Sequence, residues 1–134
     1  MDLIYQDTHS IDKKALEQLF LSLSWSSGHY PERLQAAMEN YQTVYTAWHG
    51  DRLVGLLSAM DDGVMTAYIH YLLVHPDFQG QGIGSRLIEM AKQKYADFLR
   101  IVLIAYDEAR PFYERCGFEK GENETPMFIT TLWT

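Results

Sequence analysis

The chain has 134 residues, 47% of them hydrophobic and 22% charged, a length and balance that fit one folded domain over residues 1–134 and exclude a disordered chain. Eleven Lys and Arg against 18 Asp and Glu leave a formal net charge of −7. This excludes a strongly basic nucleic-acid face, which works by displacing phosphate counterions, and suits a basic partner. The single cysteine, Cys116, rules out an internal disulfide and a multi-thiolate zinc site. No apolar run reaches the roughly 20 residues of a membrane span, and the start from Met1 to Tyr5 lacks a signal-peptide pattern, so no membrane association and a cytoplasmic location are expected.

From Asp12 to Leu23 the apolar residues Ala15, Leu16, Leu19, Phe20 and Leu23 fall at the spacing of a buried helical stripe, with Ser10 as its expected cap. A second helix is predicted from Pro31 through Leu34, Ala37, Met38 and Tyr41, since proline suits a first helical turn. Between them lies an aromatic-bearing loop, Ser24 to Tyr30. Thr43 to Trp48 is β-branched and aromatic, the segment His49-Gly50-Asp51 makes a tight turn, and Arg52 to Met60 reads as the hairpin partner. After a turn at Asp61-Asp62-Gly63, Val64 to Val74 is a third, longer strand. A helix from about Ile83 to Tyr95 follows, with Leu87, Ile88 and Ala91 on one face. Arg100 to Ala105 is almost wholly apolar, as for a strand buried on both faces. A helix near Glu108 to Arg115 ends at Gly117, a left-handed stop, and the alternation from Met127 to Trp133 predicts a final strand. The order β-α-α-β-β-β-α-β-α-β-β describes a mixed sheet with helices packed on it.

The stretch Val74-His75-Pro76-Asp77-Phe78-Gln79-Gly80-Gln81-Gly82-Ile83-Gly84-Ser85 joins a strand to a helix. Glycines there permit unusual backbone angles and close approach of a ligand, and the free N–H groups of a helix start attract phosphate. The same glycines also fit a plain turn capping a helix. A dinucleotide fingerprint fails because Ser85 stands where a third glycine is required, and no Gly-Lys-Ser/Thr exists for a Walker loop.

This stretch resembles the acetyl-CoA motif of the GCN5-related N-acetyltransferases, the GNAT family, in which V-x-P is followed by Gln or Arg, two residues, Gly, one residue, and Gly or Ala. Val74, Pro76, Gln79, Gly82 and Gly84 fit at every position. Downstream, Ala109 to Phe118 is similar to the family's A-x-x-F/L-Y-E-K/R-x-G-F segment. Two motifs in order, joined by a helix and a strand, are specific where one glycine loop is not. The resemblance covers Arg52 to Phe118.

The resemblance implies an α+β fold, a mixed, mostly antiparallel sheet of about six to seven strands with helices on both faces. It implies acetyl-CoA as co-substrate without a metal, and transfer of the acetyl group to a primary amine by direct attack. Leu72, Leu73 and Val74 would bond the pantetheine arm through their main chains. The N–H groups of Gln79, Gly80, Gln81, Gly82, Ile83 and Gly84 would hold the pyrophosphate, Ser85 would add its hydroxyl, and Arg86 is a candidate charge partner. Tyr113 matches the family's general acid. The family's frequent Asn is replaced by Tyr106, with Asp107 beside it, and the Glu base of histone-acetylating relatives by Tyr68. His70, Asp61 and Asp62 are the substitute bases, His70 having a pKa range suited to proton transfer. Acylation of Cys116 is set aside because no His is near it in sequence.

On the acceptor side, Trp25 and Tyr30 are the candidate substrate-binding residues, since a cationic amine is held by ring faces and carboxylates; a small-molecule amine and a protein lysine or N-terminus are both open. A homodimer through the C-terminal strand and Trp133 is also open. The alternative function is an acetyl-CoA-binding sensor or interaction module without catalysis.

Overall fold

The computed structural model describes residues 2–134. Five strands form one sheet in chain order: β1 (Ile4–Asp7), β2 (Thr43–His49), β3 (Arg52–Asp61), β4 (Thr66–Val74) and β5 (Arg100–Leu103). The first four are antiparallel neighbours and β5 runs parallel to β4, because the crossover helix α3 (Ile83–Lys94) returns the chain to the same end of the sheet. Helices α1 (Lys13–Ser22) and α2 (Pro31–Asn40) cover one face; α3 covers the other, with α4 (Arg110–Arg115) beside it. The fold is α+β and mixed, as expected.

Each face has its own core. Leu16, Leu19, Phe20, Leu34 and Met38 of the two early helices meet Val44, Leu53, Leu56 and Leu73. Leu87, Ile88 and Ala91 of α3 meet Val54, Leu57, Ala59, Ala67 and Ile69 on the other side. Gly55 is what lets α3 lie this close: a Cβ there would stand 2.7 Å from Cγ2 of Ile83. Leu16, Leu19 and Phe20 of the predicted helical stripe are buried as read, although α1 starts from Asp12, not Ser10, and no side chain caps it.

Two β-bulges divide these faces. One lies in the β2–β3 pairing at Ala47/Trp48. The other lies in the β3–β4 pairing, where Ser58 faces Tyr71 and Ala59 faces Ile69, so that His70 is the inserted residue. Before it, Ala67 and Ile69 point to the α3 core; after it, Tyr71 and Leu73 point to the α1–α2 side while Leu72 and Val74 pack toward α3. One extra residue has shifted the period-two alternation by one.

The C-terminal third corrects several expectations. The described residues form five strands, not six or seven, because Met127 to Trp133 forms no strand. Its alternation specifies two faces but no partner, and the tail is drawn elsewhere. Thr134 Oγ1 accepts from the Ser26 N–H and its carbonyl accepts from the Ser27 N–H, each at 2.7 Å. The predicted twice-buried strand is an edge strand with Arg100 and Val102 exposed. Strand β4 starts at Thr66 instead of Val64, because the Asp62 carboxylate accepts from the N–H groups of Val64, Met65 and Thr66 and holds them in a turn. Ahead of α4, a single 3-10 turn spans Asp107–Ala109, and Gly117 closes the helix at φ +99°. Among the described residues, no helix is long and apolar enough to cross a membrane.

Candidate active site

The pairing of β4 with β5 stops at Ile69 and Leu103. Beyond that point the strands separate, so Leu72, Leu73 and Val74 keep a main-chain edge that no neighbouring strand takes. A cavity of about 520 Å³ opens there. Its walls come from that strand end, from the glycine loop, from Trp25 on the α1–α2 loop, and from Phe112, Tyr113 and Arg115 of α4.

The loop is held at both ends. After β4, the Asp77 N–H donates to Nδ1 of His75 at 3.1 Å, starting a 3-10 turn over Pro76–Phe78. The Gln79 side chain reaches back, Nε2 donating to the Val74 carbonyl at 3.0 Å. The chain then turns through Gly80 and Gly82, at φ +78° and +83°, where an L side chain is strained. Gly82 is the N-cap of α3 and carries no capping side chain, so the first N–H groups of the helix are left for a ligand. With the dipole of a twelve-residue helix behind them, they suit a phosphate. Gly80, Gly82, Ile83, Gly84 and Ser85 line the cavity with Gln79; Gln81 lies exposed outside its wall. The exposed strand edge, the free helix start and the cavity between them fit an extended ligand that carries a phosphate.

Tyr113 stands in the opposite wall, its ring edge-on to Phe112 and Phe118 at 5.0 and 5.9 Å. No described residue hydrogen-bonds its hydroxyl. Burial pushes its pKa up to about 12, so the phenol stays protonated near neutrality.

At the other end, Trp25 belongs to an aromatic cluster with Phe20, Tyr71 and Tyr106 at centroid distances of 6.1, 6.3 and 6.3 Å. Tyr71 is fixed by its hydroxyl, 2.7 Å from Ser27 Oγ. Tyr30 is not in the cavity wall: it stands at the entrance to α2, half exposed, with the Arg33 guanidinium 5.8 Å over its ring. His70 also lies outside that wall, at the bulge, stacked between Tyr68 and Tyr71 at 5.7 and 4.3 Å. Its Nδ1 is hydrogen-bonded to the Tyr41 hydroxyl. Although its position is open to solvent, the surrounding rings partly desolvate the imidazole and lower its pKa.

Asp61 and Asp62 both accept hydrogen bonds within the turn that follows β3. Asp61 accepts from the Gly63 N–H and from the Tyr95 hydroxyl, and the three N–H groups around Asp62 hold its pKa below the ordinary carboxylate value. Arg86 lies 5.7 Å over the ring of Tyr5, away from the cavity. Sequence reasoning passed over Phe112, Leu23 and Arg115 as cavity residues; for Phe112 and Arg115 of the "FYER" run the signal was the motif itself, which was read only for its tyrosine.

The sheet thus opens between a bulged strand and its parallel neighbour, over a glycine-rich helix start. A family profile described as "Acetyltransferase (GNAT) domain" matches residues 11–127, and the chain belongs to that family. The chain is 30% identical over 125 residues to a Porphyra purpurea protein described as "Uncharacterized N-acetyltransferase ycf52", covering 89% of this chain and 71% of that one. It is 30% identical over 130 residues to a histone acetyltransferase of Glycine max, covering 87% of this chain and 56% of the relative. Among solved structures, a GNAT family acetyltransferase of Streptococcus pneumoniae superposes with a TM-score of 0.83 at 24% identity, over 97% of this chain and 99% of that one.

Proposed function

We propose that this GNAT acetyltransferase transfers an acetyl group from acetyl-CoA to a primary amine by direct attack in a ternary complex. The observation that carries this reading is that the free edge of β4, the glycine loop and Tyr113 border one cavity. In it, Leu72 to Val74 pair with the pantetheine arm as an added strand would. The N–H groups from Gln79 to Gly84 take the pyrophosphate, with the Ser85 hydroxyl beside them. The amine attacks the thioester carbon, the C–S bond breaks, and the leaving thiolate takes the proton of the Tyr113 hydroxyl. Tyr113 suits this role because its hydroxyl is uncommitted and protonated.

The attacking amine must be neutral, and His70 is the base of this reading. With the Tyr41 oxygen accepting from Nδ1, the lone pair on Nε2 is left for a proton, reached through water from the acceptor. Trp25 supplies a ring face for the acceptor. The surplus of carboxylates suits a cationic amine, and the histone acetyltransferase of Glycine max supports keeping a protein lysine beside small amines as acceptor.

An acetyl-CoA consumption assay across an amine and peptide panel tests the reading. Turnover is expected with at least one acceptor. Tyr113→Phe is expected to lower kcat by about 10²-fold and to leave CoA affinity unchanged by calorimetry. CoA binding with no acceptor acetylated would favour a sensor module instead, and full turnover in Tyr113→Phe would remove that residue as the acid.

A further inference from the structure

Thr134 lies 108 residues from Ser26 in sequence, yet it is docked on the loop between α1 and α2. Its Oγ1 accepts from the Ser26 N–H at 2.7 Å and stands 2.8 Å from the Ser26 hydroxyl. Its carbonyl accepts from both the N–H and the Oγ of Ser27, each at 2.7 Å. Two consecutive residues thus turn both N–H groups and both hydroxyls onto one partner. Met127, Phe128, Ile129 and Trp133 of the same tail stay exposed, so the docking is made by hydrogen bonds and little by apolar burial. The residue just ahead of the pinned pair is Trp25, whose ring lines the larger cavity. Its N–H donates to the Phe20 carbonyl at 3.0 Å, and its own carbonyl accepts from the Gly28 N–H at 2.9 Å. Having given its proton to the Thr134 carbonyl, the Ser27 oxygen accepts that of the Tyr71 hydroxyl. The loop is thereby tied to β4 as well, where the Trp25 and Tyr71 rings lie 6.3 Å apart.

We propose that Thr134 is a positioning residue for the acceptor: by holding Ser26 and Ser27 it fixes the Trp25 ring as the acceptor-side wall of the cavity. The inference rests on the reading of Trp25 as an acceptor contact and adds what sets its place. No described residue accepts from the Trp25 indole N–H, so the ring takes its orientation from neighbouring rings and from the main chain of its loop. Ring contacts alone fix such a wall loosely, whereas a hydrogen-bonded main chain fixes the point from which the side chain starts. That point matters because a displacement of about 1 Å near the reacting atoms costs on the order of 10²-fold in rate. The donor half of the cavity is independent of this clamp. Ser26, Ser27 and Thr134 are outside its wall, and the glycine loop is held by His75 and Gln79. Thr134 therefore governs the acceptor and leaves CoA binding alone.

Thr134→Val keeps the shape of the side chain and removes the oxygen that the Ser26 N–H and hydroxyl use. Its KM for the acceptor is expected to rise about fivefold, the weight of one hydrogen bond, with CoA affinity by calorimetry at the wild-type value. Thr134→Ser, which retains the hydroxyl, should restore the KM. An unchanged KM in Thr134→Val, or an equal loss of CoA affinity, would overturn the proposal. The ring itself is followed without turnover by fluorine NMR of protein labelled with fluorotryptophan, the Trp25 signal being the one absent from Trp25→Phe. That signal should shift or broaden in Thr134→Val and return in Thr134→Ser, while the signal of Trp48 on β2 stays in place. A Trp25 signal that does not move, or a Trp48 signal that moves as far, would overturn the proposal whatever the acceptor. A wild-type protein that acetylates no amine would remove the acceptor reading even where the Trp25 signal moves, so the two failures are distinct.

Discussion

Tyr113 and His70 are both crowded by aromatic neighbours, and the same desolvation moves their pKa values in opposite directions. For the phenol, burial disfavours the anion and raises the pKa to about 12; for the imidazole it disfavours the cation and lowers the pKa. Each is thereby held in the state its proposed role requires, one carrying its proton and the other free to take one. A base that works as neutral imidazole gains activity as pH rises through its pKa. The acid limb of kcat/KM is therefore expected to have its midpoint below 6.5, the ordinary histidine value. His70→Gln should flatten that limb and lower the plateau by about 10²-fold; a limb that survives in the variant would assign it to another group. His70 was legible as a candidate from its chemistry. Its partner Tyr41 was not, since the two are 29 residues apart and only the folded chain brings the end of α2 beside the bulge of β4.

At the scale of elements, the glycine loop was the most legible feature because its requirements act on residue type. A backbone at φ +83° followed by an open helix start leaves few choices but glycine. Gly82→Ala is expected to cost about 1–2 kcal/mol of stability, seen as a lower melting temperature, together with weaker CoA binding by titration. Unchanged CoA affinity would mean that the turn serves the helix alone. The fate of β5 and the tail was less legible for a complementary reason. A run such as Arg100 to Ala105 states that the segment is apolar, but an edge strand and a central one differ in whether a further strand joins them. That depends on where Met127 to Trp133 goes, and its end is held at the α1–α2 loop.

For the molecule as a whole, Ser27 is the node between distant parts of the chain. Its Oγ donates to the Thr134 carbonyl and is 2.7 Å from the Tyr71 hydroxyl, joining the α1–α2 loop, the tail and β4. Ser27 is buried, so removing its hydroxyl takes the partner of the Tyr71 hydroxyl and one of the two bonds to the Thr134 carbonyl, which keeps the Ser27 N–H. Ser27→Ala is expected to cost about 1–3 kcal/mol, measured by denaturant unfolding, and to speed limited proteolysis within residues 119–134. A loss of stability without faster cleavage would show that the tail is held by other contacts. None of this network could be read from a Ser-Ser pair in a loop, whereas the fold class could, because two ordered motifs constrain the elements between and around them.

The inserted residue at position 70 gives β4 a parity that its composition does not display. With His70 counted, even-numbered Leu72 and Val74 turn toward the glycine loop and α3, and odd-numbered Tyr71 and Leu73 toward Phe20 and Trp25. Removing a residue of β4 after the bulge would exchange those sets beyond the cut, whereas removing His70 itself would leave a regular strand with both sets in place. Strand length beyond the bulge of β4 is therefore a specification in its own right, and a change of phase there would rearrange both sides of the cavity while leaving every other residue in the chain as it was.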